Sequence, residues 1–429
     1  MALPQAKQDV TEARIAELSL PEGAVWARNA REDALGRLRA MGLPGARDEY
    51  WRFTKPDDLN APDAAPAHVF DAGDESPVFG EIDSLRVVFR DGVFDADASD
   101  DLSGEGLEIE RLHSVTQTDI HWSRDLYGVL EARGQSPVER PFAALNTAFA
   151  TDGIVIRATG KVSRPVNLTY LHERPNSDAI LHFVVRVESG AELTVLENGP
   201  AAARFNKCME VDVADGGAFH LVRAQGRDHE RRAVTHLFAR IGEEATFKSF
   251  TLTANGVLTR NEAVIEIMGD NAVAHIAGAA LGDGEFHHDD TVFVTHDAVG
   301  CESRQVFKKV LRNGAVGTFQ GKILVKEGAQ KTDGYQISQS LLLDDDAQFL
   351  AKPELEIYAD DVACSHGSTS GAIDDEALFY LRSRGVELGD AQDLLVLAFL
   401  AEAIEEIEDE AIAEDILSRL EGWLARHRS

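Results

Sequence analysis

The sequence predicts a mainly β protein whose core, residues 153–370, is a parallel β-helix flanked by N-terminal and C-terminal α-helical segments. Three observations predict this class. From residue 153 onwards, short runs of β-forming residues alternate with Gly, Asp and Asn. Small-residue corners in this part recur at a fixed spacing, as they do in solenoids. Before and after it, apolar residues recur every three or four positions, which is the spacing of amphipathic helices.

Residues 1–80 are predicted to form an N-terminal helical segment followed by a linker. Apolar residues at helical spacing run over 11–18 and 24–41, and a Gly and a Pro follow as stop signals. The stretch 60–77 is rich in Ala, Pro and Asp and is typical of a connector. Residues 81–152 form a mixed region before the β-helix, and their pattern assigns no clear elements.

The corners of the predicted β-helix are four pairs of residues that each end in alanine. A β-rich run precedes each pair, and a second run follows most of them. A unit of two short strands cannot bury its apolar face alone, so we expect each unit to stack on its neighbours. The pairs, each 27 residues after the last, are Gly190-Ala191, Gly217-Ala218, Glu244-Ala245 and Asn271-Ala272.

An antiparallel sheet with coincidental spacing is the alternative architecture. The regular period argues against it, and so does the scarcity of two-residue hairpin turns such as Asn-Gly between the runs. Later small-residue turns, at 314–315, 328–329 and 346–347, lie closer together than the first four. The β-helix is therefore the favoured prediction.

Residues 371–429 are predicted to form a C-terminal helical domain. Asp374 can cap the first helix, and Gly385 can end it. Two further helices are predicted over 390–405 and 411–427. Because the middle helix is unusually apolar, the domain must either pack on itself or dock on a partner.

The charge balance restricts the classes of partner. With 42 basic and 74 acidic residues, the chain carries a formal net charge of −32. Such a chain should repel nucleic acid and anionic membrane surfaces, because binding to phosphate needs a basic surface. Proteins or cations are the expected partners, although the acidity could serve solubility alone.

The sequence predicts a cytoplasmic protein. No apolar run reaches the ~18 residues that a membrane span requires, and the first residues lack the apolar core of a signal peptide. The three cysteines, Cys208, Cys301 and Cys364, lie far apart in the sequence. An odd number of cysteines in a chain without export signals argues against a disulfide framework.

Several enzyme signatures are incomplete. Gly321-Lys322 suggests a phosphate-binding loop, but Val316 stands where the first glycine is needed and Ile323 where Ser or Thr is needed. The segment GSTSG, 367–371, resembles a nucleophile elbow, but Thr369 occupies the serine position. The sequence therefore predicts neither nucleotide hydrolysis nor serine-hydrolase chemistry.

A histidine cluster lies at 286–290, in the segment Phe-His-His-Asp-Asp. Together with His275 and His296 it has the donor types of a metal site. It lacks a helical His-Glu-x-x-His frame and paired cysteines. A solvated loop with ordinary histidines, including His287 and His288, is therefore the favoured interpretation.

Cys364 and His366 form a sharper signal, in the segment Cys-Ser-His-Gly. If residues 358–365 form a strand, its period of two puts both side chains on one face. Thiolate and imidazole ligate iron, iron–sulfur clusters and zinc. A cluster needs about four protein ligands, so a partner would have to bring the others. The alternative is a buried cysteine beside a hydrogen-bonded histidine with a purely structural role.

Residues 317–385 closely resemble the SufB/SufD family of the SUF iron–sulfur cluster assembly system. The resemblance rests on GTFQGKILVKEGAQKTDGYQISQ and on YADDVACSHGSTSGAIDDEALFYLRSRG, and EYWRFT at 49–54 is similar to a motif of the same family. The Cys-Ser-His-Gly segment matches the SufD-type members rather than the SufB-type members. The resemblance implies a right-handed parallel β-helix and no catalysis by this chain alone.

The resemblance also implies partners and a site. A SufB-type partner would pair with the last rungs of the β-helix, and the SufC ATPase would dock on the C-terminal helices. His366 would be a metal ligand at the shared interface, with Cys364 as its neighbour. No cofactor would stay bound to the isolated chain, and an iron–sulfur cluster would be held only transiently. The implied ATPase-docking residues are Phe379, Tyr380, Arg382, Arg384, Leu394 and Leu397.

Two other functions remain open from the sequence. One is a β-helical enzyme acting on polysaccharides, since this architecture hosts many lyases and hydrolases. The other is a structural homodimer without a metal role, which could use the same surface as the SufB-type partner. If His366 ligates iron, loading should fall as the pH drops through the histidine range, because only neutral imidazole binds the metal.

Overall fold

The computed structural model describes residues 3–69, 77–226 and 229–427, so part of the predicted connector, 70–76, lies outside the described residues. The described strands form two sheets of ten strands each. Their bounds are β1 Leu85–Arg90, β2 Val93–Phe94, β3 Ser103–Gly104, β4 Leu107–Arg111, β5 Ile154–Ala158, β6 Val166–Leu171, β7 Asp178–Val187, β8 Glu192–Asn198, β9 Arg204–Val213, β10 Ala218–Gly226, β11 Arg232–Ile241, β12 Thr246–Ala254, β13 Leu258–Ile267, β14 Val273–Asp283, β15 His287–His296, β16 Glu302–Arg312, β17 Val316–Val325, β18 Thr332–Leu342, β19 Gln348–Ile357 and β20 Val362–Gly371.

From β5 onwards, successive strands alternate between the two sheets. Sheet A runs in the order β2, β1 and then the even-numbered strands from β6 to β20. Sheet B runs from β3 through β4 and β5 to the odd-numbered strands that end at β19. Neighbouring strands from β5 and β6 onwards are parallel, as in the β10–β12 and β11–β13 pairs. The predicted parallel β-helix is therefore confirmed.

The corners repeat a backbone hydrogen bond from rung to rung. Gly190 has a positive φ of 70°, and its N–H donates to the carbonyl of Asp215 in the next rung at 3.1 Å. Glu244 and Asn271 adopt the same left-handed conformation, and Asn271 N–H donates to Val299 at 2.9 Å. At the second corner the left-handed residue is Gly216, with a φ of 66°, directly before the Gly217-Ala218 pair. Glycine and asparagine reach this conformation at the lowest cost, which explains why they recur at these corners.

The later rungs are longer than the early ones. The corner after Asn271 is Gly300, which precedes Cys301, and the next is Lys331. The turn at Gly314-Ala315 belongs to the opposite corner, between β16 and β17. The closer spacing of the late turns in the sequence therefore reflects two rows of corners, one on each side of the solenoid.

The helices cover the outer faces of the two sheets. Helix α2 (Val25–Met41) and helix α6 (Pro141–Phe149) pack against sheet B through Leu38, Phe142 and Val234. Helices α8 (Leu388–Ile404) and α9 (Glu410–Arg426) pack against sheet A through Leu400 and Ile416. The bounds are α1 Gln5–Ala16, α2 Val25–Met41, α3 Asp57–Asn60, α4 Leu112–Val115, α5 Val129–Arg133, α6 Pro141–Phe149, α7 Asp375–Ser383, α8 Leu388–Ile404 and α9 Glu410–Arg426, with 3-10 turns at Glu49–Trp51 and Trp122–Asp125.

The C-terminal helices begin and end near the predicted signals. The Asp374 side chain accepts hydrogen bonds from the N–H groups of Glu376 and Ala377 at 2.8 and 3.1 Å, so the predicted N-cap is confirmed. Gly385, two positions after the last residue of α7, has a φ of 88°. Within the described ranges, none of the helices combines the length and the apolar content that crossing a bilayer requires.

The solenoid is open at its C-terminal end. Strand β20 is the last strand of sheet A and β19 the last strand of sheet B, so each is hydrogen-bonded on one side only. The side chains of β19 are half-buried or exposed, unlike those of the inner strands. An uncovered pair of strand edges is a surface that another chain can extend by strand pairing.

Candidate functional site

Cys364 and His366 lie on β20 at this open end. The expectation that they share one face of a strand is confirmed, although the strand begins at Val362 rather than at residue 358. In the parallel pairing with β18, Cys364 is opposite Gly334 and His366 is opposite Gln336. Because Gly334 and Gln336 are buried between the sheets, Cys364 and His366 are on the inner face of sheet A.

The Cys364 thiol is half-buried. It packs with Ile323 in a small apolar cluster between the last strands, and a Cβ at Gly334 would lie 3.2 Å from its Sγ atom. Burial raises the pKa of Cys364 above its usual value, the charge of Asp333 acts in the same direction, and a backbone hydrogen bond from Gly334 opposes them. The group is therefore a protonated thiol at neutral pH rather than a ready thiolate ligand.

The His366 imidazole is exposed. No described residue forms a hydrogen bond or ion pair with it, so the structural alternative of a hydrogen-bonded histidine is wrong for the described residues. An imidazole with two free nitrogen atoms on an uncovered inner face is available to a metal ion or to a partner. Of the two candidate ligands, His366 is the more accessible.

Two glutamines continue the row of His366 into the solenoid. Gln305, Gln336 and His366 are in register on β16, β18 and β20. Both glutamine side chains are fully buried, and their amide atoms have no hydrogen-bond partner among the described residues. Gly321 makes room for Gln336, since a Cβ there would lie 2.1 Å from the Gln336 Oε1 atom. No local pattern in the sequence marks this row, because it is formed by the register of three separate strands.

The histidine cluster is divided between two faces. His287 and His288 open β15, and His288 is only 2% exposed, so the expected solvated loop is wrong. On the outer face, His287 Nε2 is 2.9 Å from Thr54 Oγ1. On the inner face, His288 Nδ1 is 2.8 Å from Lys309 Nζ. In the described part of the chain, no group of three or more His, Cys, Asp and Glu side chains is arranged to hold a metal ion.

The EYWRFT motif crosses the outer face of sheet B towards the open end. Thr54 donates to Asp289 Oδ2 on β15 at 2.5 Å. Tyr50 Oη donates to Glu354 Oε2 on β19 at 2.6 Å, and Lys352 donates to Glu49 at 2.6 Å. We name residues 49–54 the N-terminal strap. It ties the N-terminal helices to the last strand of sheet B.

The candidate docking residues of the C-terminal domain divide into an exposed group and one residue, Leu397, that is packed against the solenoid. Phe379 and Tyr380 on α7 are 74% and 54% exposed, and the Arg384 guanidinium lies 3.5 Å from the centroid of the Tyr380 ring. Leu394 on α8 is 50% exposed, whereas Leu397 packs against the apolar cluster beneath α8. Arg382 is exposed on α7. The exposed members form an aromatic and basic surface on an otherwise acidic chain.

These features define a class of protein: a two-sheet parallel β-solenoid with a covered middle, an open end and an exposed helical domain. The model of the SUF system FeS cluster assembly SufBD core domain matches residues 170–399. That range contains most of the solenoid and both candidate sites. The chain therefore belongs to the SufBD family of the SUF iron–sulfur cluster assembly system.

Individual relatives cover nearly the whole chain. The iron–sulfur cluster assembly protein SufD of Escherichia coli is 30% identical over 407 residues, which is 90% of this chain and 90% of the relative. A SufBD family protein of Synechocystis is 27% identical over 414 residues, covering 88% and 87%. SufD of Bacillus subtilis is 26% identical over 294 residues, covering 66% and 67%. The predicted likeness to the SufD type is confirmed.

Proposed function

We propose that the chain is a non-catalytic scaffold subunit of a SufBCD-type complex in which iron–sulfur clusters are assembled. It would pair with a SufB-type subunit through the edges of β19 and β20, and it would dock a SufC-type ATPase on its C-terminal helices. The family membership supports a role in cluster assembly and favours it over a polysaccharide-active enzyme. The assignments of the two partners rest on the geometry of two surfaces, the strand edges of β19 and β20 and the exposed face of the C-terminal helices.

The observation that carries the proposal is the position of His366. Its imidazole is exposed on the inner face of the last strand, where a second chain that extends the sheets would cover it. One accessible imidazole, with a neighbouring cysteine that ligates only after its thiol loses the proton, supplies at most half of the usual ligand set of a cluster. The partner would supply the remaining ligands, and the cluster would be cargo of the complex rather than a resident cofactor of this chain.

The docking of the ATPase is supported by the exposed aromatic surface on α7. Phe379 and Tyr380 are large apolar side chains that the fold leaves uncovered, and aromatic residues of this kind dominate the binding energy of protein interfaces. Arg382 and Arg384 give the surface donors for carboxylates of a partner. Leu397 would act indirectly, since it fixes α8 on the solenoid from beneath.

The experiment that tests the site is iron and acid-labile sulfide analysis of the anaerobically purified three-subunit complex. The native chain is compared with His366→Ala and with the matched control Ser370→Ala, which changes another exposed residue of β20. We expect His366→Ala to lose iron and sulfide together while the complex stays intact, and Ser370→Ala to retain both. Native iron and sulfide in His366→Ala would place the ligands on the partner and overturn the assignment.

A further inference from the structure

A small polar cavity lies inside the solenoid, far from the open end. It is a narrow void of about 10 Å³, room for about one water molecule or small ion, and it lies between the inner faces of the early rungs. Residues of β6 and of β8 to β11 line it, together with the turns that follow β8 and precede β11. The residues that matter for its chemistry are Tyr170, Glu197, Arg223, Gln225 and Arg231.

Two buried guanidinium groups line this cavity. Arg223 is 7% exposed and Arg231 is 1% exposed. Arg223 Nη1 donates to Thr235 Oγ1 at 2.8 Å, and Arg231 donates to the Gly199 and Pro200 carbonyls and to Gln225 Oε1 at 3.1 to 3.3 Å. All of these acceptors are neutral. Neither arginine forms an ion pair with a carboxylate of the described residues, and neither Nε atom has a hydrogen-bond partner among them.

The nearest carboxylate is already matched by another cation. Glu197 lines the same cavity, but both of its oxygen atoms accept from Lys207 Nζ, at 2.5 and 2.6 Å. The Glu197 charge also acts on Arg231, but one carboxylate here faces three cations, Lys207, Arg223 and Arg231, so an excess of positive charge remains. A buried charge without a counter-charge destabilises the folded state, so an anion held at this place would be stabilising.

A third donor faces the cavity. Tyr170 is 3% exposed, and its hydroxyl has no hydrogen-bond partner among the described residues. Burial, and secondly the charge of Glu197, raise the pKa of Tyr170 well above its usual value. The phenol therefore stays protonated and can donate. Burial lowers the pKa of Arg231 to about 10, and Arg223 adds to this effect, so Arg231 is still charged at neutral pH.

We propose that this cavity is a structural site for a small monovalent anion, of which chloride is the representative, bound by Arg223, Arg231 and the Tyr170 hydroxyl. The donors are two cations and one phenol, which is the chemistry of a halide site rather than of a metal site. A water molecule would satisfy the hydroxyl but would leave the excess positive charge uncompensated. The proposal is independent of the proposed function, since the cavity is remote from β20.

The first test measures thermal unfolding of the full chain against chloride concentration at constant ionic strength, with gluconate as the replacing anion. Gluconate is too large for the cavity. A ligand that binds only the folded state raises the unfolding temperature with its concentration. We expect the midpoint to rise with chloride or bromide and to level off. An unfolding temperature that is equal in chloride and gluconate would overturn the proposal.

The second test uses a pair of tyrosine variants. Tyr170→Phe removes a hydroxyl that has no protein partner, so the folded chain should be retained, but we expect the half-saturating chloride concentration to rise about tenfold because one donor is lost. Tyr127→Phe is the control, since the Tyr127 hydroxyl donates to the Thr147 carbonyl at 2.6 Å. It should lower the unfolding temperature and leave the chloride dependence unchanged.

A crystallographic measurement locates the anion. Crystals grown in bromide should show an anomalous peak between Arg223, Arg231 and Tyr170, and crystals of Tyr170→Phe should show it weakened. A chloride effect in both tyrosine variants alike, with no bromide peak in the cavity, would mean that the anion acts at the surface only, and the proposed site would be wrong.

Discussion

The hydroxyl of Tyr50 donates a 2.6 Å hydrogen bond to the carboxylate of Glu354, and these residues are 304 positions apart in the sequence. The bond joins the N-terminal strap to β19, the last strand of sheet B. Lys352 on the same strand adds a cation–π contact, with its Nζ atom 3.9 Å from the centroid of the Tyr50 ring. The open edge that we propose as the partner surface is thus held from outside by the N-terminus.

Removal of the Tyr50 hydroxyl should loosen this edge. We expect Tyr50→Phe to lower the free energy of unfolding by about 1–2 kcal/mol, since a hydrogen bond to a charged acceptor is lost and the site is partly exposed. The local effect should be larger. Amide hydrogen exchange should speed up in β19 but not in the inner strands, as expected when an edge opens without global unfolding.

The matched control is Tyr358→Phe. Tyr358 follows β19 directly and is 64% exposed, so the loss of its hydroxyl should change the stability by less than about 0.5 kcal/mol. If both variants exchange at the native rate over β19, the strap does not hold the edge.

Lys309 and Asp290 form a buried ion pair inside the solenoid. We expect the effects of substituting these two residues on stability to be strongly coupled. Lys309 Nζ lies 2.6 Å from Asp290 Oδ2, and both side chains are almost fully buried. We expect Lys309→Met to lower the free energy of unfolding by about 3–5 kcal/mol, because it leaves the Asp290 carboxylate buried without its cation. Chemical denaturation measures the change.

The double variant Lys309→Met with Asp290→Leu separates the charge effect from packing. Since an apolar pair leaves no uncompensated charge, we expect it to recover most of the lost stability. A double variant that is as unstable as the sum of its single variants would show that the pair contributes by shape rather than by charge.

Buried histidines predict loss of stability in acid. Burial lowers the pKa of His236 and His296 to about 4 and that of His288 to about 3. These folded-state values lie below the unfolded value of about 6.5, so the unfolded chain binds more protons between these limits. Stability is therefore fully present above pH ~6.5 and falls as the pH drops towards 4, by at most ~1.4 kcal/mol per pH unit for each histidine.

A single variant tests this linkage. Between pH 4 and 6.5, we expect His296→Leu to reduce the slope of the unfolding free energy against pH by up to ~1.4 kcal/mol per pH unit, which is the contribution of one bound proton. The control is Ser303→Ala, which removes the hydroxyl 2.8 Å from His296 Nε2 but keeps the ring. It should lower the stability at every pH with an unchanged slope. Equal slopes in the native chain and in His296→Leu would contradict the prediction.

Substitutions on the exposed surface of α7 should weaken binding of the ATPase without unfolding the chain. We expect Phe379→Ala to weaken binding of a SufC-type ATPase by roughly 1–4 kcal/mol, the range of an interface hot spot, with the fold unchanged because Phe379 is 74% exposed. Calorimetric titration measures it. Ile120→Ala is the control, since Ile120 is an equally exposed apolar residue elsewhere, and it should bind normally.

Local patterns in the sequence were sufficient to predict the solenoid, the first C-terminal helix and part of the candidate site. Three of the four corner pairs contain the left-handed turn residue of their rung, and Gly217-Ala218 directly follows it, so the spacing of the pairs indicates the parallel solenoid. The period of two places Cys364 and His366 on one face of any strand that contains them. Asp374 is a residue type that caps the start of a helix, and Gly385 is one that follows the end of a helix. The helix α7 lies between them, as they predict.

The sequence by itself determined the class of solenoid, the shared face of Cys364 and His366 and the ends of the first C-terminal helix, because each of these depends on neighbouring residues. Tertiary structure alone decided that His287 and His288 face opposite sides of a buried strand, that Gln336 lies beside His366, and that Tyr50 reaches Glu354. These contacts depend on which rungs stack and on how the termini fold over them. Such long-range packing produces no periodic pattern in the sequence from which these contacts could be predicted.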